Sequence, residues 1–194
     1  DPAGETYLRQ EGRGLVIGIY EQDCDPWDVN GTPWDFGHEL LNNNLDRISE
    51  PLDAAFKRYP VLGTAGIKTV INGPFTFAPD GNPLVGPVPG LRNYWSACAV
   101  MAGFSQGGGV GLTLAEWMVE GEPSRNVYAM DVARFGDYCT RPYTRMKVTE
   151  NYQRRFSISY PNEELPVGRP LQTTPAYGLW KAERAVFGSG YGME

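Results

Sequence analysis

At 194 residues, with 41% hydrophobic and 21% charged side chains, the chain has an ordinary globular composition and enough length for one sizeable core or parts of two. A net charge of −6 and a pI near 4.9 argue against a nucleic-acid or anionic-membrane surface, and no apolar run approaches the length of a membrane span. Cys24, Cys98 and Cys139, odd in number and without a CxxC pair, argue for free thiols in a reducing compartment rather than a disulfide framework.

In chain order, Tyr7 to Gln10, a Gly12-Arg13-Gly14 turn and Leu15 to Glu21 predict a β-hairpin. On residue type alone Tyr7 is a half-buried strand aromatic, and Arg9 is expected on the face opposite it as a solvated charge. Asp23 to Asn43 reads as an irregular loop docked by Trp27, Trp34 and Phe36. His38, the single histidine, lies in this loop without a partner and makes a poor catalytic or metal ligand. Leu45, Ile48, Leu52, Phe56 and Tyr59 step at helical spacing; Pro51 predicts a kink or two short helices, the second capped by Ser49.

The stretch from Asn72 to Pro123 organises the rest, reading as strand, Pro/Gly turn, strand, glycine loop and helix. Ile67 to Phe77 is β-rich. Pro79-Asp80-Gly81-Asn82-Pro83 is turn chemistry, in which Asp80 is expected to bond the turn's own amides. A second extended run covers Asn93 to Val100. Gly107-Gly108-Gly109 and Gly111 are then expected to open a helix bearing Leu112, Leu114, Trp117 and Val119, stopped by Gly121 and Pro123. Missing Cβ atoms admit a flat or anionic ligand to a helix start, although close packing alone produces the same pattern. Neither GxGxxG nor GxxxxGK[ST] is present, so this is not a standard mononucleotide loop. Asp131 to Arg155 is helix-compatible, with a break at Pro142 and a basic run read as a solvated face. Residues 161–175 read as a proline-punctuated linker. There is no Ser/His/Asp triad and no cluster of metal ligands.

The order PDG, PLVG, LRNYW, GGGVG, LAEW and GEP resembles the carboxyl end of the flavin domain in the dimethylglycine and sarcosine dehydrogenase family, among the D-amino-acid-oxidase-like amine oxidoreductases. YLRQ and GLVIGIYE between Tyr7 and Glu21, the Leu45 to Leu62 helix, and ARFGDY, YTR and ENY between Ala133 and Tyr152 extend the resemblance over nearly the whole chain. It implies an α+β fold, a fragment of an α/β flavoprotein. Residues 1–123 would be the carboxyl part of an FAD-dependent oxidoreductase domain, 124–175 a central connecting domain and linker, and 176–194 the start of the segment leading to an aminomethyltransferase-like folate domain. The chain starts without Met, directly before a hairpin, and ends on a glycine-rich stretch with no closing element. An internal piece of a longer enzyme, inactive alone, is therefore expected.

The resemblance implies oxidative demethylation of an N-methylated glycine, dimethylglycine favoured, by hydride transfer to FAD, with the one-carbon unit passed to tetrahydrofolate downstream. Tyr7 matches a tyrosine facing flavin and substrate amine. Ala102, Gly103, Phe104, Ser105, Gln106 and Gly107 match the flavin contact, where a helix amino terminus stabilises negative charge. His38 does not match the family's flavin-attaching histidine. Family members vary at Phe104 to Gly107, which leaves open which methylated glycine fits. The alternatives are a sarcosine dehydrogenase or oxidase on the same scaffold, or a flavin-free folate-binding accessory module. Expected partners are a small amine and an electron-acceptor protein, with no nucleic acid and no membrane. The cytoplasm is the expected compartment, with the mitochondrial matrix as alternative.

Overall fold

The computed structural model describes residues 1–194, which divide into two compact units: residues 1–75 with 152–159, and residues 76–151 with 160–194.

In the first unit β1 (Thr6–Glu11) pairs antiparallel with β2 (Gly14–Ile19), setting Tyr7 opposite Gly18 and Arg9 opposite Val16. A two-residue Gly12-Arg13 turn joins them, and Gly12 takes φ +57° at no steric cost. Arg9 corrects the expectation: residues two apart on a strand share a face, so it lies on the side of Tyr7, where it pairs with Glu11. Residues 20–45 form the irregular loop, pinned by Trp27 against Phe36 at 4.6 Å between ring centroids. Trp34, expected to help dock it, is fully exposed. A short 3₁₀ turn (Asp46–Ile48) leads into α1 (Ser49–Arg58), with Pro51 in the first helical turn, where a missing N–H is harmless. Ser49 is not the cap: its hydroxyl donates back to the Asp46 carbonyl at 2.9 Å. The expected strand at Ile67 to Phe77 does not form. Ile67 and Ile71 stay exposed, and an extended β-rich run without a ladder partner remains coil.

The second unit starts from the Pro79–Pro83 turn, where the Asn82 amide donates to Asp80 Oδ1 at 3.0 Å and Gly81 takes φ +75°. β3 (Leu84–Pro87), a strand hidden in sequence between prolines, pairs antiparallel with β4 (Trp95–Cys98). Val85 of β3 is the largest fully buried side chain of this unit, and the Ser96 hydroxyl donates to the Leu84 carbonyl at 2.8 Å. α2 (Gly103–Glu120) buries Val110 and Thr113, sets Trp117 edge-on to Trp95 at 6.2 Å, and ends on Gly121 at φ +88°. It starts a turn earlier than expected, so Gly107–Gly109 and Gly111 lie inside the helix rather than in a loop before it. α3 (Arg141–Gln153) carries Pro142 as its second residue, so the proline marks the start of the helix and not an internal break. The proline-punctuated segment is not a free linker: Glu150 on α3 accepts from the Val167 amide at 3.0 Å, and Gly168 sits against the Tyr143 ring. α4 (Tyr177–Ala182) follows. Small sheets and several helices give the α+β class.

Candidate functional site

The sequence-derived site residues fall in different units, Tyr7 in the first and Ala102 to Gly107 in the second, and each group is described in its own surroundings.

Tyr7 is half exposed on the open face of the hairpin. Its ring lies across Gly18 and approaches Tyr20 at 6.4 Å. Tyr20 is in turn packed edge-on by Phe156 at 4.8 Å and Phe75 at 6.2 Å, with Tyr152 tilted at 5.3 Å. Burial pushes the Tyr20 phenol up from its ordinary pKa, with Arg155 opposing. Behind this cluster the Tyr152 hydroxyl donates to Glu21 Oε2 at 2.6 Å, and Arg47 Nη2 donates to Glu21 Oε1 at 3.0 Å. Tyr7 is thus the wet end of an aromatic stack whose far end is anchored by a satisfied carboxylate.

In the second unit the Ala102 carbonyl accepts from the Ser105 amide at 3.0 Å, the Gln106 amide at 2.9 Å and the Ser105 hydroxyl at 3.0 Å, which closes the first turn of α2. No side chain caps the helix. The Gly103 and Phe104 amides therefore remain open to a ligand, at the end where the helix dipole favours negative charge. Phe104 is fully exposed. Gly103, Gly107 and Gly111 recur every fourth residue along one face, with Gly108 at its side and Gly109 on the far side of the helix, and a Cβ on any of the five would meet no atom within 4 Å. Glycine inside a helix costs about 1 kcal/mol relative to alanine, and nothing in the described surroundings of α2 needs the room these five leave. That open cradle fits a flat cofactor approaching the backbone.

Two features escaped the sequence reading. One is Gly18, whose role depends on a cross-strand partner. The other is a polar cavity of about 280 Å³ in the second unit, lined by Asp80, Tyr143, Lys147, Asn151 and Arg169 among others. The named charges are paired: Asp80 with Arg134, Lys147 with Glu150, and Arg169 with Glu164 and Glu194. His38, at φ +56° in the loop, takes no part in either group.

The family described as FAD dependent oxidoreductase matches residues 1–117, and the FAD dependent oxidoreductase central domain matches residues 120–174. The chain belongs to the FAD-dependent oxidoreductases, as the carboxyl part of that domain followed by the central domain. It is 41% identical over 196 residues to mouse mitochondrial dimethylglycine dehydrogenase, covering 98% of this chain and 22% of the relative. To the human mitochondrial dimethylglycine dehydrogenase it is 44% identical over 177 residues, covering 89% and 20%. To mouse mitochondrial sarcosine dehydrogenase it is 32% identical over 197 residues, covering 100% and 21%. The chain thus spans about a fifth of the length of these relatives. No helix is long and apolar enough to cross a membrane.

Proposed function

We propose that this chain completes the flavin site of an enzyme that oxidatively demethylates an N-methylated glycine, with dimethylglycine as the preferred substrate. The observation that carries the reading is the open glycine face of α2, Gly103, Gly107 and Gly111 over empty space beside an uncapped helix start. The higher identity to dimethylglycine dehydrogenases than to sarcosine dehydrogenase supports the choice of substrate.

In this reading FAD, when bound, accepts the hydride from the N-methyl carbon. Ala102 to Gly107 would hold the flavin: the glycines leave room at the backbone, and the open first amides of α2 would favour negative charge there without reorganising. Tyr7 offers its phenol to the substrate amine, orienting it by a hydrogen bond. Residues 1–123 serve as the oxidoreductase part, 124–175 as a central connecting domain, and 176–194 lead toward a folate domain, which would bind tetrahydrofolate as the acceptor for the one-carbon unit. Electrons leave to an acceptor protein. The mitochondrial relatives favour the mitochondrial matrix over the cytoplasm as its compartment.

The test is an anaerobic visible spectrum of the full-length protein titrated with dimethylglycine and then sarcosine. Bleaching of the flavin band by dimethylglycine first is the expected result, and bleaching by sarcosine first would reassign the substrate. A flavin band that neither amine touches would remove the substrate class, and folded protein without any flavin band would move the reading to a binding module.

A further inference from the structure

Tyr7 and Gly18 are directly opposed across the hairpin, and the Tyr7 ring lies down over the ladder instead of standing away from it. A methyl group on Gly18 would fall inside that ring, against Cζ, Cε1 and the hydroxyl oxygen. Gly18 has no positive φ, so its backbone conformation does not call for glycine. Gly12 at the turn is the opposite case, with φ +57° and empty space where its Cβ would be. Glycine within a strand weakens the strand, because it adds chain entropy and has no side chain to pack. What residue 18 gains by being glycine is the room taken by the Tyr7 ring.

The pose is closed on one side. Tyr20, one residue past the end of β2, donates its amide to the Glu5 carbonyl at 3.0 Å, falls on the same side as Gly18 and meets the Tyr7 ring at 6.4 Å. Tyr20 cannot readily yield, being held by Phe156, Tyr152 and Phe75. The other side of the ring remains open, and half of Tyr7 is exposed. A side chain at residue 18 would therefore lift the ring off the strand and carry its hydroxyl away from the hairpin surface.

We propose that Gly18 is a positioning residue of the amine pocket: by having no side chain, it lets the Tyr7 phenol lie flat across the hairpin at the height from which its hydroxyl meets the substrate amine. This rests on the functional reading above. Gly18 acts through Tyr7 and touches no reacting atom.

The experiment uses the full-length flavoprotein and the substitutions Gly18→Ala, Tyr7→Phe, Tyr7→Ala and the doubles Gly18→Ala/Tyr7→Phe and Gly18→Ala/Tyr7→Ala. Flavin content, the anaerobic rate of flavin reduction by dimethylglycine and the thermal midpoint are read for each. Expected for Gly18→Ala is full flavin content with reduction slowed to the level of Tyr7→Phe. The Gly18→Ala/Tyr7→Phe double should be no slower than either single, since both act on one contact. The midpoint should reverse sign: Gly18→Ala lowers it beside tyrosine and raises it beside alanine, where the ring is gone and the strand gains a side chain. If Gly18→Ala fails to fold, the Tyr7→Ala background still gives that sign. Two results would overturn the role of Gly18 alone: wild-type reduction in Gly18→Ala beside slow Tyr7→Phe, or an equal loss of midpoint with alanine at residue 7. Wild-type flavin untouched by either amine would overturn the functional reading itself, and the pocket role with it.

Discussion

Arg134 grips both carboxylate oxygens of Asp80, Nε to Oδ2 at 2.7 Å and Nη2 to Oδ1 at 2.8 Å, across 54 residues of sequence. The same guanidinium donates to the carbonyls of Asp131 at 2.8 Å and Asn82 at 3.1 Å and stacks over Phe135 at 4.5 Å. Asp80 thus has two jobs: it closes its own turn through the Asn82 amide, and it ties that turn to the segment before α3.

The Arg134 side chain is 6% exposed, and it makes four hydrogen bonds, two of them to one carboxylate. Arg134→Ala should cost about 3 kcal/mol, because Asp80 loses its partner and two carbonyls lose their donors. Arg134→Lys should recover little of this, since an ammonium cannot reproduce the planar two-pronged geometry. Urea unfolding at constant m-value measures both, and a lysine variant of wild-type stability would show that the fork itself is unimportant.

Tyr152 supplies a pH prediction. Burial, and then the hydrogen bond to Glu21, push its phenol well above the ordinary value of 10.0. Tyr20, Tyr138 and Tyr143 are raised in the same direction, chiefly by burial. Above pH 10 the unfolded chain loses these protons while the folded chain keeps them, so the folded state binds more protons and stability falls as pH rises. The contribution is complete below about pH 10 and is lost as pH climbs through the raised folded values. Tyr152→Phe should flatten part of that alkaline slope in urea midpoints measured from pH 8 to 11. An unchanged slope would mean that Tyr152 ionises as freely folded as unfolded.

How much of this could be read from sequence varies with range. The hairpin was legible because period-two patterning and a glycine turn are local, and the end of α2 because Gly121 and Pro123 are adjacent to it. The start of α2 was not: five glycines resemble a loop until Val110, Thr113 and Trp117 pack, and tertiary burial outweighs weak propensity. β3 stayed hidden because its partner β4, rather than its own composition, makes it a strand. Ile67 to Phe77 is the converse, strand-like residues with no partner. In the candidate site, Tyr7 and Ala102 to Gly107 were identified through family resemblance, while Gly18 and Arg134 depend on contacts that no local pattern encodes.

Glu150 is a buried carboxylate with two partners, the Lys147 ammonium and the Val167 amide. Glu150→Ala strands a largely buried ammonium and a backbone donor, a loss of about 3 kcal/mol. Glu150→Gln keeps an acceptor for Val167 and should cost less. Limited proteolysis should accordingly open the segment around residues 161–175 in the alanine variant first. Equal protection in wild type and both variants would show that Glu150 does not hold this segment to α3.

Gly107→Ala sets local stability against the proposed cofactor. The residue is inside α2, and a Cβ there meets no atom within 4 Å, so alanine removes a helix penalty of about 1 kcal/mol without a clash. Thermal stability of the 194-residue chain should rise by the few degrees such a gain gives in a domain this size. In the full-length protein the same methyl group occupies the space through which the flavin ring would reach the backbone, so flavin retention after gel filtration should fall. The two effects have opposite signs because the glycine serves the ligand and not the helix. If Gly107→Ala stabilises the chain and also retains flavin like the wild type, the open face of α2 is not where the flavin lies.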